Sequence, residues 1–598
     1  MVALPGARMP HGRRAGLMIA RRFTDGRMTM ARCLIAAISW ERIHLSLTAV
    51  VSGFTGDPSA LRFLIVDGER EFPVNSRQTG AEQHRLEINV TNFQDRRQVP
   101  NGTWRIVPVI GEERLPAAGF DLKATDRLDV DSRTFLYDRN RSAYVIAFGL
   151  SDDDENPEFL MRTYQLFRSA GPSANKDAPK APLRKRLGLR VLPRARRRKL
   201  ANQVYSLSRR LNPPRGNRIL FASEMRTGLG GNLARVHDRM IERGLDKKYS
   251  FRHSFRVPST ANKWSTLRLI YLLATSDTVL MDDYFGLLAQ LGISPKTKII
   301  QLWHAGSGFK SVGYSRFGRY GSPKLTNAHR KYTYVITGSK HLVPVYAEAF
   351  GIEESAVVPT GLPRIDTFLD KDHSRKVVED FFVANPKLKG KKIVLFAPTF
   401  RGKSIGDAHY DYDRIDFAKL HEVCGDKFVV LFRMHHFIPG SVPIPAEYSD
   451  RLLDFASFPD TNDLLQVTDV LVTDYSSIIY EYTLLDRPIL FYAYDKDTYS
   501  VIRGFHRDYD SVAPGKICVT FDDLLKALQD EDYDLSKVEQ FRQENFDYVD
   551  TNSADRVIDW LVIGDRATGD EGGDHRWLDL TPDDTAVGDQ PLSDQSEA

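Results

Sequence analysis

From residue 218 to about residue 564, short apolar, β-branched runs alternate with helical stretches, and they do so in two successive series. The first has runs at 218–222, 278–281, 298–302, 334–337 and 357–358. The second has them at 392–396, 428–432, 452–455, 470–473 and 489–492. Runs of four or five apolar residues bounded by helices mark strands buried on both faces, as in a parallel sheet. Two βα series of roughly 170 residues each therefore predict a pair of doubly wound α/β lobes with a ligand crevice between them. The break falls near 384–390, which gives lobes over 218–385 and 386–564.

A chain of 598 residues is too long for a single core. Ahead of the lobes, residues 39–168 show short alternating strands at 61–66, 85–90, 103–110, 134–137 and 143–149, with turn signals such as Asn101-Gly102. That spacing predicts an all-β, sandwich-like accessory domain with a binding or spacer role. Residues 1–38 mix arginines with broken apolar patches and read as a disordered basic extension, with Met28 or Met30 as alternative starts. Residues 565–598 are acidic and rich in Gly, Asp and Ser, which predicts a disordered tail.

The segment 169–217 stands apart. It begins as a Gly/Pro/Ser linker and turns strongly basic from Arg184 to Arg210, with no acidic residue between Asp177 and Glu224. Leucines and valines are interleaved, so the stretch is expected to associate with an anionic membrane surface. Formal net charge is only +5, and no nucleic-acid partner is expected. No apolar run reaches the ~18–20 residues needed to span a bilayer. Cys33, Cys424 and Cys518 are widely spaced, with neither disulfide nor zinc-ligand spacing, which fits a reducing compartment.

The polar motifs cluster where the predicted strands end, which is where open α/β sheets bind ligands. QLWHAGSGFKSVG follows the 298 strand and carries His304 and Lys310. APTFRG follows the 392 strand with Thr399 and Arg401, and FRMHH closes the 428 strand with Arg433 and His435. DYSS closes the 470 strand with Asp474, Ser476 and Ser477, and a helix is expected over 477–486. TGLPRID supplies Arg364 and Asp366 at the lobe junction. Lys310, Arg364 and Asp366 are candidates for an acceptor side. The whole set is cationic, lacks a paired-carboxylate or metal pattern, and has no GxxxxGK[ST] loop. It favours phosphoryl chemistry on an anionic substrate, with no metal, over glycoside hydrolysis or ATP-driven transfer.

The ordered set ILFASEMRTGLGGN, QLWHAGSGFKSVG, TGLPRID, VLFAPTFRG, FRMHH, DLLQVTDVLVTDYSSIIYEYTLLDRPILFYAYD and RGFHRDYDSVAPG resembles the CDP-glycerol glycerophosphotransferase family over about 215–563. One departure is WHAGSGFK, where many members read WHGTP. The resemblance implies GT-B-like lobes and transfer of a polyol phosphate from CDP-glycerol or CDP-ribitol to a hydroxyl of a lipid-linked acceptor, with release of CMP. It implies no cofactor, and a peripheral site at the cytoplasmic face of the membrane. His304 matches the family's base and His435 its second essential histidine. The Asp474–Ser477 turn would hold the pyrophosphate, with Thr399, Arg401, Arg433, Glu481, Asp486 and Arg503 on the donor side. Two rival readings are a GT-B glycosyltransferase with a nucleotide-sugar donor and a non-catalytic surface-binding protein.

Overall fold

The computed structural model describes residues 31–167 and 194–564, apart from 55, 69, 122–126, 139, 154–155, 258–260, 305, 307, 320 and 403–404. The tail 565–598, most of the N-terminal extension and the basic residues Arg184, Lys185, Arg186 and Arg190 lie outside the described residues.

Strands in the first part of the chain form one eleven-stranded sheet. Strand Arg70–Gln78 pairs with Leu61–Asp67 through its first half and with Gln83–Asn89 through its second. The sheet therefore folds over at this strand, and a single core lies between the two halves, with Leu45, Leu47 and Ile88 facing Phe63, Trp104 and Ile146. The domain begins earlier than the expected residue 39, because Arg32–Glu41 is already its first strand. Cys33, Ile35 and Ile38 are its buried positions, and an irregularity between Ile35 and Ala37 breaks the period of two that alternation reads.

The 169–217 segment is not a linker throughout. Arg194–Leu211 is an 18-residue helix that stops where Asn212 meets Pro213 and Pro214. It packs on the helix Lys263–Thr275 and buries Tyr205. Asn202 accepts from the amide of Gly292 at 2.7 Å and donates to the carbonyl of Gln290 at 2.8 Å.

Two six-stranded parallel sheets follow. In the first the spatial order is Ser250–Phe255, Arg218–Ser223, Thr278–Met281, Lys298–Gln301, Tyr334–Ile336, Val357–Val358. In the second it is Leu452–Asp454, Phe428–Phe432, Lys392–Phe396, Val470–Thr473, Ile489–Tyr492, Lys516–Cys518. Strand order in the second sheet reverses between Lys392–Phe396 and Val470–Thr473, so the crevice of that switch point lies at APTFRG and DYSS.

The lobes are not separated cleanly at residue 385. Helix Lys371–Ala384 already packs on Thr461–Val467 of the second lobe, while the closing helix Ser553–Arg556 returns to Gly231–Glu242 of the first. Arg239 and Arg243 pair with Asp555 there, and Arg243 with Asp559. Each lobe thus lends a terminal helix to the other. Cys33, Cys424 and Cys518 are free and buried.

Candidate active site

The second-lobe switch point is built around a buried ion cluster. Asp474 leaves the Val470–Thr473 strand almost wholly buried. It accepts from both the amide and the hydroxyl of Thr399 at 2.8 Å and pairs with Arg401 at 2.9 Å. Arg401 forks onto Asp495 at 2.6 and 2.9 Å and lies within 5.7 Å of the ring centroids of Tyr410, Tyr475, Tyr494 and Tyr499. Burial opposes the charge, but the neighbouring carboxylates Asp474 and Asp495 hold the Arg401 guanidinium protonated well above its ordinary range. Asp474 and Arg401 were expected at the phosphates. They are instead committed to each other, and their work is to lock the APTFRG loop to the DYSS turn.

What this frame presents is a cavity of about 280 Å³ lined by Lys310, Ser311, Arg316, His435, Ser476, Ser477 and Arg503, with Thr399, Phe400, Val312 and Tyr499. No carboxylate is among these lining residues, and three of the side chains are cationic. Arg503 donates to the carbonyl of Gly402 at 2.7 Å and lies over the Phe400 ring. Ser476 and Ser477 are half-buried at its edge. The helix behind them is shorter than expected: Ile479–Tyr482 forms one α-turn, Thr483–Leu485 tightens to a 3₁₀ turn, and Asp486 takes a left-handed φ of 52°. A four-residue helix has little dipole to offer. The cationic character of the cavity comes from its side chains.

His435 packs against Phe400, His436 and Phe437. Its Nδ1 accepts the amide proton of Phe437 at 3.2 Å, which leaves Nε2 as the protonated nitrogen of a neutral ring. Burial, then the neighbouring His436, Lys310 and Arg433, push its pKa down to about 4. At neutral pH His435 is thus a hydrogen-bond donor on the cavity wall. Arg433 lies in an adjoining pocket of about 90 Å³ shared with His435, His436 and Ser476, and donates to the carbonyls of Ala456 and Met434.

His304 lies outside the lining of the 280 Å³ cavity, at the seam between the lobes. It follows Trp303, whose φ of 51° is unusual for a bulky residue; Asn232 holds that turn by donating to the carbonyls of Leu302 and Trp303, both at 2.8 Å. His304 Nδ1 meets the carbonyl oxygen of Asp282 at 2.9 Å. A carbonyl only accepts, so Nδ1 carries the proton and Nε2 keeps its lone pair. Crowding by protein, then the cations Arg364 and Arg226, lower its pKa below the ordinary imidazole value. The ring is a neutral base at neutral pH. From it the loop runs to the cavity wall at Lys310, with Gly306 flat against Tyr480, whose ring an added Cβ would meet at 2.3 Å.

The residues expected on the acceptor side divide. Lys310 faces the cavity, and no carboxylate pairs with it among the described residues. Arg364 donates to the carbonyl of His304 and pairs with the buried Glu481, so this expected donor residue is spent on joining the lobes. Asp366 is fully buried and caps the closing helix by accepting from the amides of Ser553 and Ala554 at 3.0 and 2.8 Å. Asp486 pairs with Arg542 at 2.8 Å on the surface.

Sequence reasoning missed Arg226, Asp282 and Asp283 at the first-lobe switch point. Asp283 accepts from the Ser223 hydroxyl at 2.7 Å, and Arg226 lies 3.4 Å from Asp282. Burial raises the Asp282 pKa to about 6 against the pull of Arg226. Asp282-Asp283 at the exit of a strand was the available signal. Among the described residues, no group of three or more His, Cys, Asp and Glu could hold a metal ion.

Residues 204–563 match the CDP-glycerol:poly(glycerophosphate) glycerophosphotransferase family. The chain is 39% identical over 363 residues to the teichoic acid ribitol-phosphate polymerase TarK of Staphylococcus aureus, an alignment covering 60% of this chain and 71% of that protein. It is 38% identical over 357 residues to the teichoic acid poly(ribitol-phosphate) polymerase of Bacillus spizizenii, covering 59% and 57%. The chain thus spans between 57% and 71% of the length of these relatives. Among solved structures, a histidine-to-asparagine variant of the wall teichoic acid polymerase TagF aligns with a TM-score of 0.50 at 22% identity, over 62% of this chain and 94% of that one. That likeness concerns the fold.

Proposed function

The chain belongs to the CDP-glycerol:poly(glycerophosphate) glycerophosphotransferase family, and from that membership we propose that it transfers a polyol phosphate from a CDP-polyol to a hydroxyl of a lipid-linked, teichoic-acid-type acceptor. The activity is that of a transferase, as the family's is. The two lobes are read as GT-B-like, with the donor on the second and the acceptor on the first. The observation that carries the reading is the 280 Å³ cavity, which gathers Lys310, Arg316, Arg503, two serines and the Nε2–H of His435 without a carboxylate. Its volume suits a diphosphate and a short polyol better than a whole nucleotide, since sites for complete small ligands run to roughly 300–1,000 Å³.

In the transfer the acceptor oxygen attacks the phosphorus that carries the polyol. Its hydroxyl proton passes to Nε2 of His304, the P–O bond to CMP breaks, and CMP leaves with the electron pair. Lys310, Arg503, His435 and the Ser476 and Ser477 hydroxyls stabilise the charge on the transferring group, the larger electrostatic part of such catalysis. The base contributes about 10²–10⁴ in rate. Both relatives named above are ribitol-phosphate polymerases, which makes CDP-ribitol the first donor to test and CDP-glycerol the second.

Attachment to the cytoplasmic face of a membrane is part of the proposal. On the helix Arg194–Leu211, Arg196 to Lys199 and Arg210 are exposed beside exposed Leu200, Leu207 and Leu211. The helix packed against it exposes Trp264, Leu267, Arg268 and Tyr271. Basic and apolar side chains exposed together on these two helices suit an anionic lipid surface. Arg209 does not share in it, because it turns inward to the carbonyl of Ala274 and the hydroxyl of Thr297. Among the described residues no helix is long and apolar enough to cross a membrane.

The test is product identity. Purified chain given CDP-ribitol or CDP-glycerol with a lipid-linked acceptor is expected to release CMP. Turnover of a nucleotide sugar with release of a nucleoside diphosphate would replace this reading with the glycosyltransferase one.

A further inference from the structure

The β-rich domain reaches the cavity wall along two routes. The first is the segment that follows His304. Lys310, Ser311, Val312 and Arg316 line the cavity, yet Tyr314 and Phe317, interleaved with them, are buried in the core of the β-rich domain. Phe317 packs on Phe135 and Tyr137 at 5.5 and 5.6 Å, and Gly318 bridges to Leu136. Gly313, at φ 53°, passes so close to the helix Val343–Phe350 that a Cβ would lie 1.9 Å from the carbonyl oxygen of Ala349. One face of this segment serves the cavity and the other serves the β core.

The second route is the hairpin turn between strands Arg32–Glu41 and His44–Ser52. Arg42, at φ 53°, forks onto the carboxylate of Glu348 at 2.7 and 2.8 Å and donates to the carbonyl oxygen of His506 at 3.1 Å. Glu348 is buried, with His44 and His506 at 3.3 and 3.9 Å from the same oxygen. Against the pull of burial, Arg42, His44 and His506 hold its pKa down at about 2. His506 belongs to the loop that carries Arg503. That loop is stitched to the His304 segment by three bonds: His506 N–H to Phe309 O, Ser311 N–H to Gly504 O, and Arg507 Nε to Gly308 O, each 3.1 Å.

We propose that the β-rich domain backs the wall of the donor site, with Arg42 as its positioning residue: gripping Glu348 and the His506 carbonyl, Arg42 fixes the loop that presents Arg503 to the donor's phosphates. The assignment of phosphates to that cavity rests on the proposed function. It replaces the expectation of a separate binding or spacer module. A second contact of the same domain supplies the comparison: Arg96 pairs with Glu353 at 2.6 Å and donates to the carbonyls of Arg330 and Tyr332, without touching either cavity segment. Simple domain docking would make the two arginines equivalent; a positioning role separates them, because misplacing a binding group by about an ångström can cost up to ~10²-fold.

The experiment compares Arg42→Ala, Arg42→Lys and Arg96→Ala in the full chain, by amide hydrogen exchange without ligand and by steady-state kinetics with CDP-ribitol. In Arg42→Ala the amides of His506 and Ser311 are expected to exchange at least about tenfold faster. Donor KM should rise about tenfold with kcat changed much less. Arg96→Ala should leave both within about twofold, and Arg42→Lys should recover part of the loss. If Arg42→Ala does not fold, Glu348→Gln, which keeps the side-chain shape, is expected to act in the same direction. Equal effects of Arg42→Ala and Arg96→Ala, or unchanged exchange at His506 and Ser311, would overturn the proposal. A wild-type chain that turns over no CDP-polyol would refute the donor assignment, while the exchange measurement still decides whether Arg42 holds the loop.

Discussion

Replacing Arg401 with methionine separates two accounts of the APTFRG motif. A phosphate ligand there would leave stability nearly untouched and abolish donor binding. The structure gives the opposite arrangement. Arg401 makes two charge-assisted hydrogen bonds of 2.6 and 2.9 Å to Asp495 and an ion pair of 2.9 Å with Asp474, and its side chain is only 12% exposed. Methionine would fill much of the space but leave both carboxylates without their cation. Breaking a buried ion pair from one side costs about 3–5 kcal/mol, because the remaining charge stays buried. The lost attraction to four tyrosine rings adds to this, each worth roughly 0.5–1 kcal/mol and not additive with the pair. Urea unfolding at pH 7.5, followed by tyrosine and tryptophan fluorescence, should therefore show a loss of at least ~3 kcal/mol in the transition that unfolds the second lobe. Donor affinity measured well below that transition should fall only through the loosened Thr399 loop. Stability within about 1 kcal/mol of wild type together with lost donor binding would refute the scaffold assignment and return Arg401 to the phosphates.

Other consequences are as direct. His304→Ala should lower turnover at least ~10²-fold while donor affinity stays within a few-fold, since a base acts in the transition state and His304 lies outside the cavity lining. Parallel loss of binding and rate would make it a ligand contact. Burial holds His329 at about pKa 3 and His506 at about 4, so each is neutral in the folded chain and takes a proton more readily when unfolded. Their contribution is complete above the ordinary imidazole pKa of about 6.5 and is lost as pH falls toward 4, with a slope of up to ~1.4 kcal/mol per pH unit for each. Asp282 and Asp366, whose pKa values burial raises to about 6, oppose this over the same range, so the check is a comparison with His506→Gln: a stability difference between wild type and variant that stays constant from pH 7 to 4.5 would contradict it. Co-sedimentation with anionic vesicles should weaken with salt and fall when Arg196, Arg197, Arg198 and Lys199 become Gln; binding indifferent to both would remove the membrane surface from the account.

The sequence made the doubly wound strands legible because they are buried on both faces and read as unbroken apolar runs. Lys392–Phe396, Phe428–Phe432, Val470–Thr473 and Ile489–Tyr492 stand at their expected residues. Ser250–Phe255 and Lys516–Cys518 did not stand out because they are edge strands, where one side of the ladder is open and polar residues are tolerated. In the β-rich domain, Arg70–Gln78 changes partner midway and buries only Val74, so no alternation betrays it. At the site, motif position located Ser476, Ser477, His435 and Lys310 on the cavity, but it could not tell a ligand contact from a scaffold ion. Arg401 and Asp474 carry the same charges either way. Only Asp495 and its tyrosines, distant in sequence, decide the matter. Asp366 and Glu481 were illegible for the same reason, since their partners Ser553, Ala554 and Arg364 come from the other lobe's side of the seam.

The central claim is that the turn at Ser476 and Ser477 faces the donor's diphosphate. Titration calorimetry of CDP-ribitol, and of CDP-glycerol in parallel, into wild type and into the double variant Ser476→Ala, Ser477→Ala tests it without requiring an acceptor. Loss of hydroxyl donors to a charged ligand is worth about 1–2 kcal/mol, so affinity should fall roughly 5- to 30-fold while the melting temperature stays within a few degrees. Unchanged affinity in the double variant would leave the turn a structural feature of the DYSS strand end and place the donor elsewhere.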